Sequence, residues 1–125
     1  MAPEDEVYTR IGEAGFERLA AAFYRRVRAD DLLGPMYPKA DLAGAEQRLR
    51  DFLVGRFGGP QRYIARRGHP RLRMRHMPFA VDGRARDRWV ALMDAALVDA
   101  ALEPESAATL RAFFASTASF LINRE

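Results

Sequence analysis

Residues 57–81 read FGGPQRYIARRGHPRLRMRHMPFAV. The helical periodicity that governs the rest of the chain breaks in this stretch. Residues 66–79 alone hold five arginines and both of the chain's histidines, His69 and His76. Glycine and proline punctuate it, and no long helix fits between Pro60 and Pro78. "QRYIARRG" allows a turn or two, and Pro70 and Pro78 bracket one short helix, "RLRMRHM". A long irregular segment inside a compact domain usually carries function or wraps a ligand. The residue types offer three readings: a nucleic-acid patch, a metal site, or a holder for something anionic.

Amphipathic helices flank the stretch on both sides. Phe16, Leu19, Ala20, Phe23 and Val27 fall at 0, 3, 4, 7 and 11, one apolar stripe. That helix should stop near Asp30, before the turn residues of "GPMYP". Asp41 is a good N-cap for the next, whose Leu42, Ala45, Leu49, Phe52 and Leu53 share a face; "GGP" at 58–60 ends it. After the irregular stretch, "VDGRARDR" leads into a helix with Trp89, Leu92, Met93, Ala96 and Leu97 at 0, 3, 4, 7 and 8. Pro104 suits the first turn of a fourth helix, with Leu110, Phe113, Phe114, Thr117 and Leu121 on one side. No alternating strand pattern, repeat or low-complexity segment occurs. The expected architecture is all-α, one domain over 1–125, with four long helices and a broken middle.

Composition narrows the chemistry. The 125 residues are 49% hydrophobic and 30% charged, a soluble globular balance. There is no cysteine, which excludes disulfides and thiolate metal sites and suits a reducing cytoplasm. No apolar run is long enough to span a membrane, and the acidic start "MAPEDEVYTR" has no signal-peptide core. The net charge is +3, and Lys39 is the only lysine. Arginine grips carboxylate or phosphate with a planar fork where lysine offers a point charge, although GC-rich codon usage would give the same bias.

The histidines carry plain readings beside functional ones. His69 precedes a proline, which pushes it out of helical geometry and into a turn. His76 sits four residues after Leu72, so the two share a face, yet a histidine on a mostly polar helix is more often a surface residue. A two-histidine zinc site would need both rings to converge with carboxylates, and residues 56–81 contain no acid. Arg62, Arg66, Arg67, Arg71, Arg73 and Arg75 around Tyr63 would suit nucleic acid, but helix-turn-helix, zinc-finger and RNA-binding sheet signatures are absent. A haem answers better. It requires an axial imidazole on a short rigid helix, an apolar slot, and cations for two propionates. His76, the aromatic helix faces and the arginines supply these. No phosphate loop, activated nucleophile or carboxylate pair competes.

"DLAGAEQRLRDFL", the 57–81 run and "RDRWVALM" together resemble the group II truncated haemoglobins, the two-on-two globins, over essentially the whole chain. The tryptophan thirteen residues after His76 is part of that likeness. The resemblance implies a two-on-two helical sandwich around haem b, with His76 as the proximal iron ligand. It puts the distal donors on Tyr24, Tyr37 and Trp89. Phe23, Ala45, Leu49, Phe52, Leu53, Met77, Phe79 and Met93 would line the cofactor. Tyr63 and Arg75 would meet the propionates, with Arg73 a weaker choice. Each apolar residue among these would also serve as core in any helical protein. Tyr24 could edge the core with its hydroxyl in water, Tyr37 could anchor a loop, and Trp89 could be a core indole. The chain departs from the family where two glycines often stand together: Gly12 is followed by Glu13, which puts local geometry in doubt.

The implied chemistry is binding of O2, with CO, NO, cyanide or peroxide as other iron ligands. Hydrogen-bond donors on the distal side would slow ligand release and favour redox work such as nitric-oxide dioxygenation or peroxide reduction. An unidentified reductase would then be a partner. The alternatives are an O2 storage, transport or sensing module without turnover and, remotely, a basic nucleic-acid binder. Nucleic acid and membrane are not expected partners, the expected location is cytoplasmic, and a homo-oligomer stays open.

Overall fold

A single glycine makes the first bend. Gly12 sits at φ 68°, ψ 179°, and breaks the first helix, α1 (Val7–Arg28), near its start. Side-chain-bearing residues rarely adopt that conformation. The missing second glycine is therefore not needed for the turn. Glu13 instead reaches across the fold, where its carboxylate accepts from Arg62 at 2.6 Å.

The computed structural model describes residues 1–124. After α1 come α2 (Leu42–Arg56), α3 (Arg62–Arg67), α4 (Leu72–His76), α5 (Gly83–Asp99) and α6 (Pro104–Phe120), with short 3-10 turns before α1 and between α1 and α2. No strand occurs among the described residues. Aspartates cap two of the helices, the first of them read from the sequence. Asp41 accepts from the Gly44 N–H at 3.1 Å and Asp82 from the Ala85 N–H at 2.8 Å. Pro104 occupies the first turn of α6, where its missing N–H costs no helical bond.

The stripe read from α1 is the core. Phe16, Leu19, Phe23 and Val27 are all buried. They meet Leu53 and Val54 of α2, Met93, Ala96 and Leu97 of α5, and Leu110 and Phe114 of α6 in one cluster. Helix α1 packs on both α2 and α5, α6 packs on α5, and α3 rests on α2. Two helix pairs, α1 with α2 and α5 with α6, thus form the two-on-two sandwich. The irregular stretch carries α3 and α4. Gly68 at φ 77° and Arg71 at φ 46° turn the chain between them, so that α4 starts afresh with its own direction.

Candidate functional site

A cavity of about 620 Å³ opens between the helix pairs and the α3–α4 segment. That is within the size range of small-molecule and cofactor sites. Helix α1 contributes Phe23 and Tyr24 to its wall, and the turn before α2 contributes Tyr37. Ala45, Leu49, Phe52 and Leu53 come from α2, Tyr63 from α3, Arg75 and His76 from α4, Phe79 from the following loop, and Trp89 from α5. Of the residues expected to line a cofactor, two fall elsewhere. Met77, the residue after α4, is 55% exposed and outside the wall. Met93 is fully buried but belongs to the core, one turn beyond Trp89 where α5 packs on α1, not to the cavity.

The wall also holds residues that sequence reasoning missed. Leu72, Val81, Phe113, Phe114 and Leu121 add apolar surface. The shared face of Leu72 and His76, and the apolar stripe of α6, were the signals available for four of them. Arg48, Arg67 and Arg86 add cations. Nothing in the spacing separates these from the other arginines.

His76 is half-buried in the wall, and its Nδ1 lies 2.7 Å from the Leu72 carbonyl oxygen. A carbonyl can only accept, so Nδ1 carries the hydrogen and donates. Nε2 is then the nitrogen with a free lone pair, the form a metal ligand needs. The bond closes one turn of α4, so the four-residue spacing that put Leu72 and His76 on one face also orients the ring. His69 is exposed, and its Nδ1 accepts from the Arg71 N–H within the turn. The two rings serve separate roles, and no cluster of metal-binding side chains of the His/Cys/Asp/Glu type occurs among the described residues.

One buried N–H of a cation in the wall lacks a partner among the described residues. Arg75 donates from Nη2 to the Arg67 carbonyl at 3.3 Å, and its guanidinium lies 5.9 Å from the Tyr63 ring centroid. Its buried Nε has no acceptor among the described residues. A buried, unpaired guanidinium N–H is costly and rare, and a carboxylate beside it would satisfy it with a charge-assisted bond. Arg73 instead lies over the Phe120 ring, at 5.3 Å, and is not part of the wall.

Across the cavity the aromatic residues form one cluster. Tyr24 and Tyr37 meet edge to face with ring centroids 5.5 Å apart, and Phe23 packs 5.4 Å from both Tyr24 and Trp89. Tyr24 is buried, so it does not edge the core with its hydroxyl in water. Burial raises the Tyr24 phenol well above its ordinary range, and nearby Tyr37 adds to the rise. Burial pushes Tyr37 up to about 12, against an opposing hydrogen bond from Trp89. Both phenols therefore remain O–H donors at any physiological pH. The indole N–H of Trp89 is a third donor in the same corner.

An apolar slot, one imidazole with its metal-binding nitrogen free, and an unsatisfied guanidinium fit an iron porphyrin with acidic side chains. The comparisons agree. Residues 6–123 match the model of the bacterial-like globin family. The chain is 35% identical to the group 2 truncated haemoglobin YjbI of Bacillus subtilis, over 94% of this chain and 88% of that protein. It superposes with a TM-score of 0.91 on the haemoglobin of the thermophilic phototrophic bacterium Chloroflexus aurantiacus, at 43% identity, covering 98% of this chain and all of that one. A thermostable haemoglobin from the actinobacterium Thermobifida fusca gives a TM-score of 0.89 at 47% identity, covering 94% and 96%. The fold, the cavity and these likenesses converge: the chain belongs to the bacterial-like globins, among the group 2 truncated haemoglobins, and its cofactor is haem, through which this family binds O2.

Proposed function

We propose that this chain is an O2-activating haem protein whose work is nitric-oxide dioxygenation or peroxide reduction. The observation that carries the reading is that His76 and the donor cluster of Tyr24, Tyr37 and Trp89 line one cavity. Haem supplies a redox-active iron that takes O2 and other diatomic ligands.

The residues divide the remaining tasks. His76 holds the iron through Nε2, and the Leu72 carbonyl keeps the ring in the required tautomer and orientation. Arg75, with Tyr63 beside it, takes a propionate on the Nε that otherwise has no partner. Phe23, Leu49, Phe52, Leu53 and Phe79 exclude water from the porphyrin faces. Tyr24, Tyr37 and Trp89 present two hydroxyls and an indole N–H to a ligand that carries partial negative charge. At about 1 kcal/mol net per donor, three donors would slow release by at most roughly a hundredfold, since ~1.4 kcal/mol is a factor of ten, and not all three need engage together. A site that releases O2 so slowly suits chemistry better than delivery.

Two measurements test this. The purified protein should show a haem Soret band that His76→Ala shifts or abolishes while far-ultraviolet circular dichroism stays helical. With an electron donor and O2, the wild type should convert NO to nitrate catalytically. An unchanged spectrum in His76→Ala removes the ligand assignment. Reversible O2 binding with no turnover of NO or peroxide leaves the storage or sensing reading in its place.

A further inference from the structure

Two segments of this chain contain no acidic residue: 56–81 and 106–124. The fold brings them together on one face. The Asn123 side chain donates to the backbone carbonyls of His76 and Phe79, and the Arg73 guanidinium lies over the Phe120 ring. Arg71 and Arg73 are exposed there and make no ion pair among the described residues. Arginines elsewhere are often neutralised: Arg26 by Asp99, Arg62 by Glu13, Arg88 by Asp30 and Asp31. Near these cations Met74, Met77 and Phe120 are exposed, at 56%, 55% and 56%. Large apolar side chains gathered at one exposed site mark an interaction surface. Arg73 and Met74 share the five-residue helix α4 with His76, which lines the cavity, so this face adjoins the cavity wall at His76.

We infer that this face docks an acidic one-electron donor protein. The inference rests on the dioxygenase reading. Conversion of NO and O2 to nitrate consumes one electron, NO + O2 + e⁻ → NO3⁻, and leaves the iron ferric until that electron arrives. The partner's reduced flavin or iron–sulfur centre is oxidised by one electron as the iron returns to ferrous, and no atom is transferred. Charge complementarity sets the partner's sign, because a face with exposed arginines free of ion pairs among the described residues steers an anionic one at long range. Methionine and phenylalanine beside exposed arginines suit a small, short-lived contact, as electron-transfer encounters are.

The test uses the ferric holoprotein and reduced plant-type [2Fe–2S] ferredoxin as the acidic donor, followed by stopped-flow absorbance. The expected second-order rate falls at least about tenfold between low and high ionic strength. Arg71→Glu with Arg73→Glu lowers the low-salt rate by about tenfold. A charge-matched control on α1, Arg25→Glu with Arg28→Glu, changes it by less than about twofold, and reduction by dithionite is unchanged in all three proteins. If the Arg71/Arg73 variant loses no more rate than the control, the docking face is overturned while the haem reading stands. If that variant instead loses binding to phosphatidylglycerol vesicles and keeps its ferredoxin rate, the face is a membrane contact and the proposal fails. A purified protein with no haem spectrum would remove the reading beneath it, a result visible before any donor is added.

Discussion

The Asn123 side-chain amide donates to the carbonyl oxygen of His76 at 3.2 Å. The same Nδ2 donates to the Phe79 carbonyl at 3.0 Å, and Oδ1 accepts from the Val81 N–H at 2.9 Å. The Asn123 backbone N–H donates in turn to the Val81 carbonyl at 2.8 Å. One residue beyond α6 therefore fixes the end of α4 and the loop that leaves it. Helix α4 has only five residues and could not hold its direction alone.

Asn123→Ala removes three side-chain hydrogen bonds, each worth about 1 kcal/mol net. The expected result is a haem-dissociation rate at least about tenfold higher, measured by transfer to excess apomyoglobin. The ferrous iron–histidine stretching band should also broaden, because the His76 backbone is no longer held. Asn123→Asp keeps the acceptor for Val81 and loses both donations, so it should fall between the two. Equal haem retention in all three proteins would show that α4 is positioned by other contacts.

The three distal donors do not act separately. Trp89 opposes the rise that burial imposes on the Tyr37 phenol, and the Tyr24 ring packs on that of Tyr37. Tyr37→Phe and Trp89→Phe should each speed O2 release several-fold, on the order of 1 kcal/mol. The double variant should fall short of the product of the two, because removing either partner already releases the other. Flash photolysis of the four proteins in the cycle measures the coupling. Strictly multiplicative effects would mean that the two donors reach the ligand independently.

Ala45 is buried in the cavity wall with Leu49 one turn on. A small residue there should leave a side path for diatomic ligands, narrowed by Leu49. Ala45→Trp should slow CO association by about tenfold or more, with the equilibrium spectrum of the ferrous protein preserved. An unchanged association rate would place the entry route elsewhere.

Burial pushes the Tyr37 phenol from 10.0 up to about 12 in the folded protein. A raised folded value means that the unfolded chain gives up its proton first. The contribution to stability is whole below pH 10.0 and is lost as pH rises toward about 12. Tyr24 moves in the same direction, for the same first reason. The urea midpoint should therefore drop more steeply above pH 10 for the wild type than for Tyr37→Phe, and absorbance near 295 nm should show late-ionising tyrosines. Parallel pH profiles for the two proteins would contradict the burial of this phenol.

The helices and the core were legible because each rests on local spacing. The stripe from Phe16 to Val27, the cap at Asp41, and Pro104 at the head of α6 all read the same way in sequence and structure. The site was legible where a spacing carried it. Leu72 and His76 share a face at four residues, and the Leu72 carbonyl proves to be the partner of the imidazole. The lining was less legible where periodicity gave a face without its level. Trp89 and Met93 lie on one stripe of α5, but only Trp89 reaches the cavity, while Met93 is buried in the core cluster. Met77 adjoins His76 in sequence, yet α4 has ended there and the side chain turns to solvent.

By itself the sequence determined the four amphipathic helices, the interruption between Pro60 and Pro78, and the histidine that the short helix presents, because these depend on neighbours within a turn. Only the tertiary structure decided which arginine is left unpaired at Nε in the cavity, that Glu13 reaches Arg62, and that Asn123 holds the carbonyl of His76 from forty-seven residues away. Those relationships join distant parts of the chain. No local spacing encodes them, and they exist only once the helix pairs have packed.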